Sequence, residues 1–184
     1  MSMDVFKTIS PYIAVLCLIS LITLQTFASD SERSSAKSIA ESLETNPETR
    51  LFAGALKASK FWNTLAEDKQ VTVFIPGDDA LRDEGSAFLL DVVLLKPANS
   101  QRLNNLIAQH VFPGLNLDNT DLSRSSRYAN AHGGCVSIDT TDRQSIRVGS
   151  EAAVADIANF SNGRVYYIDR LLWQPFENPG SCNK

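Results

Sequence analysis

The chain has 184 residues and is mildly acidic, with 17 Lys and Arg against 21 Asp and Glu. That length suits one domain once a leader is set aside. The basic residues are scattered, so there is no electrostatic footprint for nucleic acid.

Residues 1–28 read as a secretory signal peptide. Met1 to Lys7 is short and polar, with positive character from Lys7 and the amino terminus, partly offset by Asp4. Ile13 to Leu24 is an uncharged apolar run, and Thr26-Phe27-Ala28 sets small residues three and one positions before a cut. This is the three-part pattern of an export signal. The apolar core is also shorter than the ~20 residues of a spanning helix. The run can be stretched from Tyr12 to Ala28, which leaves an uncleaved anchor as the alternative. The short core and small-residue site favour cleavage, so no stable membrane anchor is expected. The polar C-terminus has no tail for a glycolipid anchor. The expected location is secreted, extracellular or periplasmic.

Cleavage removes Cys17 and leaves Cys135 and Cys182. An even pair in an oxidising compartment suggests one disulfide. It would close a loop of about 46 residues, worth about 4 kcal/mol in the chain-entropy model. Two unrelated thiols are the alternative.

Residues 29–37 form a polar, Ser-rich linker, followed by a domain expected over 38–176 and a polar tail over 177–184. Ile39 and Leu43, four apart, begin the helical spacing. Asn46 is expected to cap a helix with Pro47 at its first position. Leu51, Phe52, Ala55 and Leu56 then recur at helical spacing, continued by Phe61, Trp62 and Leu65. Val71 to Ile75 reads as a buried strand ended by Pro76-Gly77. Asp78 suits the N-cap of a brief helix through Ala80 and Leu81.

Ala87 to Leu95 is apolar and ambiguous in period; its Ala and Leu content predicts a helix stopping at Lys96-Pro97. Asn99 or Ser100 caps a helix over 101–111, which places Leu103, Leu106, Ile107 and His110 on one apolar face. Pro113-Gly114 ends it. Short strands are expected at 135–138, 145–148, 153–155 and 165–172. Helices in the first half and strands in the second predict an α+β domain.

Three segments resemble the signature of the fasciclin domain family. Thr72 to Leu81 (TVFIPGDDAL) is similar to its first homology box through Thr72, Phe74, Pro76, Asp78 and Ala80, with Gly77 and Leu81 departing from the usual Thr and Phe. Leu106 to Gly114 (LIAQHVFPG) resembles the central tyrosine–histidine segment: His110, Pro113 and Gly114 match, while Gln109 replaces the tyrosine and Phe112 a Val. Asn162 to Leu172 (NGRVYYIDRLL) is similar to the second box through Asn162, Gly163, Ile168, Asp169 and Leu172. The resemblance covers about residues 36–175. It implies helices packed on a twisted, wedge-like β-sandwich. It also implies a role in extracellular adhesion, with a protein or polysaccharide surface as partner and no cofactor.

The residues themselves point to binding rather than catalysis. Thr72 and Phe74 would share one strand face, with Val71, Val73 and Ile75 on the other, so burial on both sides is expected. His110 is a candidate interaction residue through the family's adhesion-linked segment, but a buried imidazole bonded to backbone or an acidic group explains it without ligand or reaction. His132 is the other histidine of the mature chain, and neither lies in a ligand-spaced cluster. Asp156-Ile157 matches a pair that some animal fasciclin domains use to engage integrins; a turn residue and a core residue is the alternative reading. Asn159-Phe160-Ser161 is a glycosylation sequon. Asp78-Asp79 and Asp83-Glu84 lack calcium-loop spacing, and no serine sits in a nucleophile-elbow context. No catalytic or metal residue is assigned. A second function is a carrier of an apolar small molecule such as a carotenoid, as in some algal fasciclin proteins, with Phe61, Trp62, Phe88 and Trp173 lining a groove.

Overall fold

The computed structural model describes residues 37–66, 70–117, 126–140, 145–149, 152–173 and 182. The expected signal peptide lies outside the described residues. So do the linker and tail, apart from Lys37 and Cys182. The described residues fall within one compact unit, 35–184.

Helix α1 (Ile39–Thr45) opens with a capping box: Ser38 accepts from the Glu41 N–H, and the Glu41 carboxylate accepts from the Ser38 N–H at 2.8 Å. Helices α2 (Arg50–Ala58) and α3 (Trp62–Ala66) follow. Strand β1 (Val71–Pro76) leads to α4 (Asp78–Asp83). Next come a single turn, α5 (Ser86–Phe88), and a π-helical segment (Leu89–Leu94). A 3₁₀ turn (Pro97–Asn99) then enters α6 (Ser100–His110). The strands after it are β2 (Val111–Pro113), β3 (Ser126–Ala129), β4 (Cys135–Asp139), β5 (Arg147–Val148), β6 (Ala152–Phe160) and β7 (Gly163–Ile168).

These strands form one open, mixed sheet in the order β2-β1-β7-β6-β5-β4-β3. Strand β1 is parallel to β7 and antiparallel to β2. Alternation along β1 divides its side chains between two cores. Val71, Val73 and Ile75 join Phe52, Leu56, Leu65 and Ile107 under the helices. Phe74 joins Phe112 and Tyr166 with Val136, Ile138 and Val148. Three strands (β7, β6 and β5) separate β1 from β4 in the sheet, yet both contribute to that second core, so the sheet folds back on itself as a sandwich. The chain is a single α+β domain, as its helix-then-strand order predicts.

Several boundaries differ from the sequence reading. Asn46 does not start α2. It ends α1, donating its N–H to the Ser42 carbonyl at 3.1 Å, and its Oδ1 accepts from Glu48 N–H at 2.9 Å. The expected helix over Ala87–Leu95 is mostly π-helical. The helix after Pro97 stops at His110, and Val111–Pro113 becomes an edge strand on β1. The last strand ends at Ile168, not Leu172, and β6 is far longer than Ala153–Ala155 because β7 pairs along it to Phe160.

Candidate functional site

The residues that carry the three signature segments are spread over both cores and the turns, and two of them, His110 and Asn162, tie helices to the sheet. His110, at the end of α6, has no exposed surface. Its Nδ1–H donates to the Leu106 carbonyl at 2.9 Å, and its Nε2 accepts from the Leu172 N–H at 3.0 Å. This is the neutral Nδ1-protonated tautomer. Burial lowers its pKa to about 4, against the upward pull of the Leu106 bond. The Phe52 ring lies 4.9 Å away, centroid to centroid. His110 thus ties α6 to the chain leaving β7, and both ring nitrogens are engaged.

Asp78 is buried, and its carboxylate works at a distance. Its Oδ1 accepts from the Leu51 N–H at 2.9 Å, closing the first turn of α2, while Arg82 lies 3.5 Å and Arg50 4.0 Å from Oδ2. Sequence reading made Asp78 the N-cap of its own helix. Gly77 occupies that position instead, and Asp78 caps α2. Glu84 similarly accepts from Leu171 N–H at 3.1 Å. Asp169 accepts from Ala153 N–H at 2.8 Å, locking the start of β6 to the end of β7.

Ser161 and Asn162 form the turn between β6 and β7, and Gly163 opens β7 opposite Phe160. The buried Asn162 amide accepts from the Ile39 N–H at 3.0 Å and donates to the Leu65 carbonyl at 2.6 Å, joining α1 and α3 to the sheet. A Cβ at Gly163 would stand 1.9 Å from the Val71 carbonyl oxygen, and its φ is +149°. Thr72 is buried and donates to the Leu115 carbonyl at 2.9 Å while accepting from Leu117 N–H at 3.2 Å. Phe74 packs on Phe112 and Tyr166. Pro76 ends β1, Ala80 lies on α4, Pro113 ends β2, Ile168 ends β7 and Leu172 is buried in the second core. Gly114 takes the turn after β2 at φ +73°.

Asp156 and Ile157 lie within β6, so Asp156 is not a turn residue. A register shift between Val154 and Asp156 marks a bulge at Ala155, a feature that re-aims neighbouring side chains. Successive strand residues face opposite ways. Ile157 packs on the second core and Asp156 is exposed beside Tyr167. Burial pushes the Tyr167 hydroxyl pKa up, opposed by a hydrogen bond from Asn46 and reinforced by the negative charges of Asp156 and Glu48. Asn159 is an exposed residue of β6. Beyond Val154, whose N–H donates to the Ile146 carbonyl at 2.8 Å, β6 pairs only with β7 among the described residues.

Cys135 at the start of β4 is joined to Cys182 by a disulfide. The four aromatics considered as a groove do not come together as one lining. Phe61 is buried with the helical core and Trp62 packs against it, whereas Phe88 and Trp173 are exposed. Among the described residues no group of three or more His, Cys, Asp or Glu is placed to hold a metal ion, and no helix is long and apolar enough to cross a membrane. Sequence reading missed the Ser38/Glu41 capping box, although the Ser-x-x-Glu spacing announces it. It also missed the Asp78 cap of α2, for which no local signal exists.

The fasciclin domain model matches residues 47–175, well over half of the chain, and the chain belongs to that family. Among solved structures it is similar to a FAS1 domain pair from the insect cell adhesion molecule fasciclin I. The likeness has a TM-score of 0.64 at 16% identity, over 76% of this chain and 52% of that one. This chain spans about half the length of that domain pair, and the likeness is one of fold. No curated protein matches the chain.

Proposed function

We propose that the protein is an exported, non-catalytic fasciclin module that makes adhesive contacts with an extracellular protein or polysaccharide surface. The observation that carries this reading is that the signature residues are consumed by the fold. His110, Asp78, Asn162 and Thr72 all bond backbone groups in the interior, which leaves the exterior of the domain as the place for recognition. Fasciclin domains are known as adhesion modules of extracellular or surface proteins, and the solved likeness comes from a cell adhesion molecule. Export rests on the leader at 1–28, and a disulfide suits an oxidising compartment.

The exposed Asp156 on the bulged part of β6 is the contact residue we favour. It is the one acidic residue of β6 and stands beside Tyr167 of β7, on a part of the strand with one unpaired edge among the described residues. Asn159 nearby is sterically open to glycosylation. A single domain presents one or two such surfaces, so firm attachment depends on multivalency. Co-sedimentation with insoluble matrix protein and polysaccharide tests the reading. Retention by either is expected, and full recovery in the supernatant from both would count against it.

A further inference from the structure

A pocket of about 310 Å³ opens between the π-helical segment and α6, a size at the low end of the ~300–1,000 Å³ of small-molecule sites. Its shape follows from the π-helix. With i→i+5 bonding, residues i, i+4 and i+5 share a face, so Leu89, Val93 and Leu94 line one wall together. An α-helix would turn Leu94 away. Trp173, 53% exposed, also lines it. It follows directly on Leu172, whose N–H is fixed by His110.

From α6, Arg102 and Asn105 line the same pocket. Arg102 is the one charged residue among those lining the pocket. Neither side chain makes an ion pair or hydrogen bond with another described residue. An uncommitted guanidinium at the mouth of an apolar pocket complements an anion that carries an apolar body. A purely apolar ligand would leave Arg102 unused, and a small inorganic anion would leave the indole and leucine walls to water.

We propose that this pocket binds a small amphipathic carboxylate. The acyl or aryl body lies against the Leu89–Val93 wall and Trp173, and the carboxylate sits on Arg102. The site is separate from the Asp156 face, and the proposal does not depend on adhesion.

Calorimetric titration of the purified full chain with decanoate and with 3-phenylpropionate tests it, with decanol as the uncharged control. At least one carboxylate is expected to saturate a single site. Arg102→Gln should weaken that ligand by about ten-fold while leaving decanol within about two-fold, the loss of one charge-assisted contact. Asn105→Trp, which fills the pocket from an exposed helix position, should weaken every ligand. Unchanged melting curves of both variants show an intact fold. Failure of both carboxylates to saturate the wild type, an equal loss for decanol in Arg102→Gln, or undiminished binding in Asn105→Trp each overturns the proposal.

Discussion

The start of β7 shows how little room the signature positions leave. Because a Cβ at Gly163 would overlap the Val71 carbonyl oxygen at 1.9 Å, Gly163→Ala forces β1 and β7 apart along their whole parallel register. It should cost at least about 3 kcal/mol, the scale of severe overpacking, and be read as a collapse of the thermal transition. His110 gives a pH signature. Its folded pKa is lowered from 6.5 to about 4, so between those values the unfolded chain binds more protons than the folded one. Its contribution is therefore complete above about pH 6.5 and declines as pH falls toward 4, by about 3 kcal/mol over that window. Urea titrations at about pH 7.5 and 5 should show the loss, and His110→Gln should flatten it. An unchanged slope in that variant would refute the assignment. The sequence placed His110 on the apolar face of its helix correctly. It could not show which carbonyl and which N–H the ring would meet, since Leu172 lies 62 residues away.

At the level of elements, the helices are joined by side chains from elsewhere in the chain. The N-terminus of α2 is closed by Asp78, the first residue of α4. Asp78→Ala should destabilise by about 2–3 kcal/mol, a lost cap together with an unsatisfied N–H. Asp78→Asn keeps an oxygen for Leu51 and loses only the attraction to the exposed Arg50 and Arg82, so its cost should stay near 1 kcal/mol. Chemical denaturation separates the two, and equal costs would contradict the capping role. The same long-range supply explains why Asn46-Pro47 misled the reading of the sequence: a local cap signal was present, but the tertiary cap won. The π-helical stretch was equally hidden, because LLDVVL has the composition of any buried helix. Strand β1 was legible, since VTVFI alternates between two cores. Strand β2 was not, because the two residues between the helix and Pro113-Gly114 carry no period.

For the whole molecule, the three boxes conveyed the family and the α+β layers because they specify core and turns. The folding of the sheet into two halves came only from residues distant in sequence, such as Phe74 against Val136 and Ile138. The Cys135–Cys182 bond spans 47 residues, and its reduction should lower stability by up to about 4 kcal/mol, seen as a depressed melting temperature. An unchanged melting temperature would mean that the tail contributes nothing to the fold.

The surface contacts were the least legible feature, since Asp156 reads as a turn residue until β7 is seen beside it. The central claim, that this domain acts through its exterior, is tested most directly by surface plasmon resonance on immobilised matrix protein and polysaccharide. Wild type, Asp156→Lys and the charge-matched control Asp91→Lys should be compared at equal concentration. The account predicts saturable retention of wild type and the control, and at least about a five-fold loss for Asp156→Lys with an unchanged melting temperature. Absence of wild-type retention on every surface, or equal retention of all three proteins, would contradict it.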